Sequence, residues 1–256
     1  MKVIELSNVS FSYNTKNILQ NISLTIEKGE FTGIIGPNGA GKSTILRIMA
    51  GILKTFSGSI RITGRDIKTI RQKELARIVG FVPQETHFQH NYSVEDIISM
   101  GRYPYLEPFQ HFNKDDIEAV EWAIEKSNLT KLRNRQVNSI SSGERQMVVI
   151  CRALAQKPQI LLLDEPTSHL DILHQVRIME LLKDLNQNGM TIVIVNHDLN
   201  LSSQFCRKLI VLHRGNIYKI GTPEVIIDKK LVMDVYGVET EIIIHPEKKI
   251  PQIFLK

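Results

Sequence analysis

Apolar and polar positions change rhythm repeatedly along this chain of 256 residues. Val3 to Leu6 read as a short strand, Ile22, Leu24 and Ile26 alternate with polar neighbours, and Phe31 to Ile35 follow as a further strand. Gly36 to Ser43 breaks the pattern as a loop. Ile45, Ile48, Met49 and Ile52 then fall at i, i+3, i+4 and i+7, which predicts an amphipathic helix with one core-facing stripe. Gly58 and Gly64 bracket Ile60 and Ile62 in another alternating run, the edge of an antiparallel sheet. From Gln84 to about Pro158 helical spacing dominates. Short runs apolar on both faces return at Ile160 to Leu163 and Thr191 to Val195, with a helix over Ile172 to Leu185 between them, and such strands imply a parallel sheet covered by helices. Leu209 to Leu212 and Ile217 to Ile220 flank His213, Arg214, Gly215 and Asn216 as a hairpin, and the last thirty-odd residues read as a mixed tail. The chain carries a single copy of this unit, without internal repeat.

Composition narrows the class without naming a partner. Hydrophobic residues make up 42% and charged residues 23%, an ordinary globular balance that excludes a disordered or fibrous chain. Met1 to Glu30 shows no basic, apolar and cleavage-site succession, and no apolar run reaches the roughly 20 residues that cross a bilayer, so the expected protein is neither secreted by the usual signal nor membrane-spanning. Cys151 and Cys206, in apolar helical contexts, read as reduced buried thiols. Thirty-two Lys and Arg against 27 Asp and Glu give a net charge of +5, but the cations are scattered and match no recognition helix or zinc finger, which argues against nucleic acid as a partner.

Gly36-Pro37-Asn38-Gly39-Ala40-Gly41-Lys42-Ser43 fits G-x-x-x-x-G-K-[ST], a loop whose glycines let successive N–H groups point at phosphate oxygens. The helix that follows aims its positive end at the same place. Lys42 can bridge the β and γ phosphates, the Ser43 hydroxyl can ligate Mg²⁺, and Thr44 adds a hydroxyl beside the α-phosphate. Farther on, Ile160-Leu161-Leu162-Leu163-Asp164-Glu165 is an apolar strand ending in two acids, at the sheet edge where open α/β folds bind ligands. Asp164 suits the Mg²⁺ shell and Glu165 the polarisation of the water that attacks the γ-phosphorus in line.

Between these motifs lies Ile140-Ser141-Ser142-Gly143-Glu144-Arg145-Gln146, and with it the chain resembles the nucleotide-binding subunit of an ATP-binding-cassette transporter. The heptad is similar to that family's signature, usually Leu-Ser-Gly-Gly-Gln/Glu. The resemblance implies an α/β fold: a P-loop NTPase cassette with a mixed parallel core sheet, an antiparallel N-terminal β subdomain and an inserted α-helical subdomain. Residues 1–84 and 159–256 would form the catalytic core with its tail, and 85–158 the helical insertion bearing the signature. The family's signature caps the γ-phosphate of ATP held by a partner copy, so two subunits sandwich two ATPs head to tail. Ser141 and Gly143 would take that role here. Ser142 replaces the first usual glycine, and its hydroxymethyl group either crowds the trans phosphate or adds a donor.

The same resemblance assigns further residues. Tyr13 in Phe11-Ser12-Tyr13 matches the aromatic that stacks on adenine, and Gln84 after Phe81-Val82-Pro83 the glutamine that senses Mg²⁺ and the attacking water. Ser168-His169-Leu170-Asp171 is similar to the loop across which subunits communicate, with Asp171 reaching the partner's cradle. His197, ending the strand after Glu165, matches the histidine that contacts the γ-phosphate.

Ser93 to Leu106, with Gly101-Arg102-Tyr103-Pro104-Tyr105 at its centre, resembles the helical-domain sequence of importers of iron-siderophore, haem or cobalamin. Asn196-His197-Asp198-Leu199-Asn200-Leu201, Gly221-Thr222-Pro223-Glu224 and Tyr236-Gly237-Val238 are likewise similar to that branch. This implies integral membrane permease subunits as partners, an indirect link to a substrate-binding protein, and a place on the cytoplasmic face of the membrane. Six of the sixteen aromatic residues fall between Phe88 and Phe112, where they would help form the groove for a permease helix or pack inside the insertion. His87, His90 and His111 lack accompanying cysteines or acids at ligand spacing, so a resident metal centre on them is not expected. The competing expectation is a soluble member of the superfamily acting on ribosomes or DNA, against which a single cassette with a compact insertion weighs.

Overall fold

The computed structural model describes residues 1–14, 16–53, 57–86 and 88–256. Its elements are, in chain order, β1 (Lys2–Tyr13), β2 (Lys16–Glu27), β3 (Phe31–Ile35), α1 (Lys42–Met49), β4 (Ser57–Ile62), β5 (Arg65–Asp66), α2 (Gln72–Ile78), β6 (Val79–Val82), α3 (Val94–Ser99), α4 (Lys114–Lys126), α5 (Ser142–Ala155), β7 (Ile160–Asp164) and α6 (Ile172–Gln187). There follow β8 (Thr191–Val195), α7 (Leu199–Phe205), β9 (Lys208–His213), β10 (Asn216–Gly221), α8 (Pro223–Ile226), α9 (Lys229–Tyr236), β11 (Thr240–Ile244) and β12 (Pro251–Leu255). They divide into two compact units, Met1–Thr69 with Thr191–Lys256, and Ile70–Met190.

In the first unit β3 lies between β8 and β9, parallel to both, and β9 turns back into β10. All five residues of β3 and of β8 are buried, as the doubly apolar runs require. A separate antiparallel sheet runs β2-β1-β4-β5. β1 extends far beyond the expected Val3 to Leu6. The alternation fails at Ser7 and Asn8, where Asn8 adopts φ 50° and its amide and side chain both bond Ser23 Oγ, so a bulge absorbs the fault and returns Val9 and Phe11 to the core. The predicted helical stripe is also shorter than its spacing implied. The Ala50 and Gly51 amides close the last turn of α1 on the Leu46 and Ile48 carbonyls, leaving Ile52 outside and half exposed.

The tail has structure that the sequence pattern did not disclose. β11 and β12 form an antiparallel pair, and α7 holds the second strand. Asn200 Nδ2 donates to the Ile253 carbonyl at 3.1 Å, its Oδ1 accepts the Ile253 amide at 2.8 Å, and Ser203 Oγ donates to the Pro251 carbonyl at 2.7 Å.

In the second unit β6 and β7 pair in parallel, from Val79 opposite Ile160 to Val82 opposite Leu163. The chain therefore leaves β6, builds α3, α4 and α5, and returns on the neighbouring strand. α5 is buried along Val148–Cys151 and Ala153–Ala155. Its carboxyl end is gripped by the Gly-Arg-Tyr-Pro-Tyr segment. Arg102, itself buried, donates to Asp116 at 2.8 Å and to the Ala155 carbonyl at 2.9 Å, and its guanidinium lies 3.7 Å over the Tyr105 ring, whose hydroxyl donates to the Gln156 carbonyl.

Cys151 and Cys206 are free and buried, and burial pushes both thiols up to about 12. Since the thiolate is the reactive species, native protein at pH 8 should resist alkylation by iodoacetamide, with both thiols labelled only after denaturation. Labelling of native protein at a rate near that of free cysteine would contradict the burial.

Candidate functional site

The first unit carries the candidate cradle. β3 ends at Ile35, the loop turns over Gly36 to Gly41, and α1 begins at Lys42. Gly41 caps the helix with φ 99° and ψ 11°, in the left-handed region, and a Cβ there would come within 2.6 Å of the Leu19 side chain. Lys42 is 5% exposed and its Nζ donates to the Gly36 carbonyl at 2.9 Å and the Pro37 carbonyl at 3.1 Å. The ammonium is thus folded into the loop it serves. Thr44 and Ala40 are buried, Ser43 and Pro37 half-buried, Asn38 and Gly39 exposed. Tyr236 of α9 lies within hydrogen-bond reach of the Gly36 backbone, and burial pushes its phenol above the ordinary range. The sequence marked Tyr236 only as part of the Tyr236-Gly237-Val238 phrase, and its place beside a loop some two hundred residues earlier in the chain was not evident there.

Two other site residues belong to this unit. Tyr13 is 44% exposed at the end of β1 and meets Phe11 edge to face, centroids 4.8 Å apart at 84°, which suits a ring that stacks on a base. His197 follows β8 on an exposed turn fixed on both sides: Asp198 donates its amide to Asn196 Oδ1 at 3.2 Å and caps α7 by accepting from the Asn200 and Leu201 amides.

The second unit carries the acids. β7 is buried throughout, Asp164 completely and Glu165 almost so. Glu165 adopts φ 49°, a conformation uncommon outside glycine, which turns the chain sharply as the strand ends. Its carboxylate is held from two sides: Gln84 Nε2 donates to Oε2 at 2.7 Å and Ser168 Oγ donates to the same atom at 3.2 Å. Two predicted residues 81 positions apart are thereby brought together. Ser168, which the sequence placed only in the interface loop, is a second partner of the acid. Gln175 Nε2 steadies that loop through the Thr167 and Leu170 carbonyls, and Asp171, exposed, caps α6 by accepting the His174 amide at 2.8 Å.

The signature heptad begins α5. Ser141 and Ser142 are exposed and Gly143 is buried. Ser141 Oγ accepts the Glu144 amide at 3.2 Å, while the Glu144 carboxylate accepts from the Ser141 amide and hydroxyl, a complete capping box. The Ser141 amide and hydroxyl hold the Glu144 carboxyl below the usual carboxylate range. Elsewhere in this unit Tyr92, Asp96, Ser99, Met100, Tyr103 and Phe112 line a hollow of about 470 Å³. The aromatic cluster therefore divides: Tyr103 is 60% exposed at that hollow, whereas Tyr105 packs inward on Arg102. His87 lies outside the described residues. Among those described, no group of three or more His, Cys, Asp and Glu side chains gathers at metal-binding distances.

Residues 19–168 match the model of the ABC transporter family. The chain is 39% identical over 247 residues to the petrobactin import ATP-binding protein FpuC of Bacillus anthracis, covering 96% of this chain and 91% of that one. It is 34% identical over 252 residues to the iron(3+)-hydroxamate import ATP-binding protein FhuC of Bacillus subtilis, covering 98% and 94%. A solved metal-chelate type ABC transporter in an inward-facing conformation superposes over all of this chain and 98% of its own, with a TM-score of 0.87 and 30% identity. A dimeric bacterial ABC transporter cassette matches over 86% of this chain and 98% of its own, with a TM-score of 0.76 and 30% identity. Matched by that family model over residues 19–168 and by these relatives over nearly its whole length, the chain belongs to the ABC transporter family as an ATP-binding subunit.

Proposed function

We propose that this protein hydrolyses ATP to drive uptake of an iron chelate of the ferric siderophore class, working as a head-to-tail pair docked on the cytoplasmic face of a membrane permease. The observation that carries the hydrolytic reading is the Glu165 carboxylate, buried and anchored by Gln84 and Ser168. A base so constrained accepts a proton from an attacking water without first reorganising. In this reading 1–84 and 159–256 form the catalytic core and 85–158 the helical insertion, a division supported by the parallel pairing of β6 with β7.

The roles follow from chemistry. The amides of Gly36 to Gly41 and the Lys42 ammonium bind the β and γ phosphates, Thr44 lies toward the α-phosphate, and Tyr13 stacks on adenine. Ser43, Gln84 and Asp164 offer oxygen atoms alone, the donor set that suits magnesium. With Gln84 Nε2 committed to Glu165, its amide oxygen is left as the ligand atom. Magnesium there would neutralise charge on the phosphate oxygens. His197 donates to the γ-phosphoryl oxygens. Ser141 and the amides around Gly143 cap the γ-phosphate held by the partner copy, and Asp171 reaches that copy's cradle. Exposure of Ser141, Ser142 and Asp171 supports such a surface, as does the dimeric form of a related cassette.

The hollow beside Tyr103 and Met100 is the seat proposed for a short permease helix, its aromatics giving the anchoring contacts. No helix among the described residues is long and apolar enough to cross a membrane, so attachment falls to that contact. Relatives that import petrobactin and iron(3+)-hydroxamate support an iron chelate over cobalamin, and a transporter over the soluble alternative. The test is to purify the subunit with its permease and binding protein in lipid and follow ATP turnover. Ferric siderophore should stimulate turnover several-fold, with haem and cobalamin inert; stimulation by cobalamin alone would overturn the cargo assignment.

A further inference from the structure

The beginning of α5 and the beginning of α6 meet through one side chain. His174 Nδ1 lies 2.9 and 3.0 Å from the two carboxylate oxygens of Asp171, which fixes the proton on Nδ1 and the plane of the ring. The ring covers Gly143 so closely that a Cβ on that residue would strike its carbon atoms and come within 2.8 Å of Nδ1. Gly143 thus answers two needs: open amides toward a phosphate, and room for an imidazole from its own chain. Beyond the ring lies a hollow of about 480 Å³ bordered by Glu144, Met147, Arg177 and Leu181, so the imidazole stands at the edge of a gap between the two helices.

We propose that His174 is a positioning residue: it ties the signature serine and glycine of α5 to Asp171 of the interface loop, so that both present to a partner copy as one preset surface. This rests on the shared-site reading, since only a surface facing a second copy gains from being fixed in advance. Pre-organisation lowers the ordering cost of association, and a carboxylate-bonded imidazole supplies it through a charge-assisted bond at one end and ring contact at the other. His174 touches no nucleotide in this scheme. Its loss should leave ATP binding by a single subunit intact and weaken the pairing that follows.

The test compares Glu165→Gln with the double variants Glu165→Gln/His174→Ala and Glu165→Gln/His174→Gln, by binding of a fluorescent ATP analogue at low protein concentration and by sedimentation with saturating Mg-ATP. We expect nucleotide affinity to stay within about twofold while the alanine variant dimerises about tenfold more weakly, the scale of one charge-assisted hydrogen bond. Glutamine retains a donor for Asp171 and should recover most of the loss. Dimerisation of the alanine variant equal to that of Glu165→Gln, or equal losses with alanine and glutamine, would overturn the role of His174 and leave the shared site standing. A monomeric Glu165→Gln at saturating Mg-ATP would instead remove the shared site and this inference with it.

Discussion

Replacing Glu165 with glutamine is expected to cut ATP turnover by about 10²–10⁴-fold, the usual contribution of a positioned general base, while nucleotide binding survives. The substitution is nearly isosteric, and the surroundings tolerate it. Gln84 Nε2 and Ser168 Oγ both donate to Oε2 of the acid, and an amide oxygen in its place can accept from both. The left-handed backbone at this position, φ 49°, makes the same demand on either residue. What disappears is the capacity to take a proton from water. ATP then persists between two subunits that cannot discharge it, so a dimer should accumulate in gel filtration with Mg-ATP and dissolve with ADP. Turnover within a few-fold of the parent would remove Glu165 from the chemistry, and monomer alone at saturating ATP would remove the partner copy.

Features encoded locally were legible in the sequence. Phe31–Ile35 and Thr191–Val195 are apolar throughout because parallel neighbours and covering helices leave them no wet face, and both emerged as strands with the expected bounds. The loop over Gly36–Gly41 was equally plain as a loop, since glycines break the apolar pattern there, and it does join β3 to α1. Features set by distant partners were hidden. The bulge at Asn8 depends on Ser23 across the sheet, and β12 is held by Asn200 and Ser203, about fifty residues earlier. Neither short run announces its partner. The same limit applied at the site. Ser168 could be placed in a loop from its neighbours, but its bond to Glu165 needs the sharp turn after β7 to bring a hydroxyl three residues on back to the carboxylate. Arg102 showed only as part of a phrase resembling one branch of importers; its bond to the last turn of α5 explains why a buried cation stands there.

Lys42→Ala should weaken ATP binding by about 10–100-fold, the range for one to two charge-assisted hydrogen bonds in a partly desolvated site. The ammonium donates to the Gly36 and Pro37 carbonyls at 2.9 and 3.1 Å, which holds it inside the loop rather than in solvent. Binding exchanges carbonyl dipoles for full negative charge on phosphate, and the gain is large because Lys42 is only 5% exposed. Alanine forfeits that gain and also leaves two loop carbonyls without their donor. Arginine should not restore function, since a planar guanidinium is too bulky for a pocket that encloses a slim ammonium. The Gly41-capped helix end and the Tyr13 ring remain, which is why binding is reduced rather than abolished. Titration with a fluorescent ATP analogue reads the effect directly. Affinity equal to the parent would show that phosphate charge is met elsewhere and would withdraw the cradle assignment, whereas a loss in ATP affinity much greater than the loss for adenosine would locate the missing contact at the phosphates.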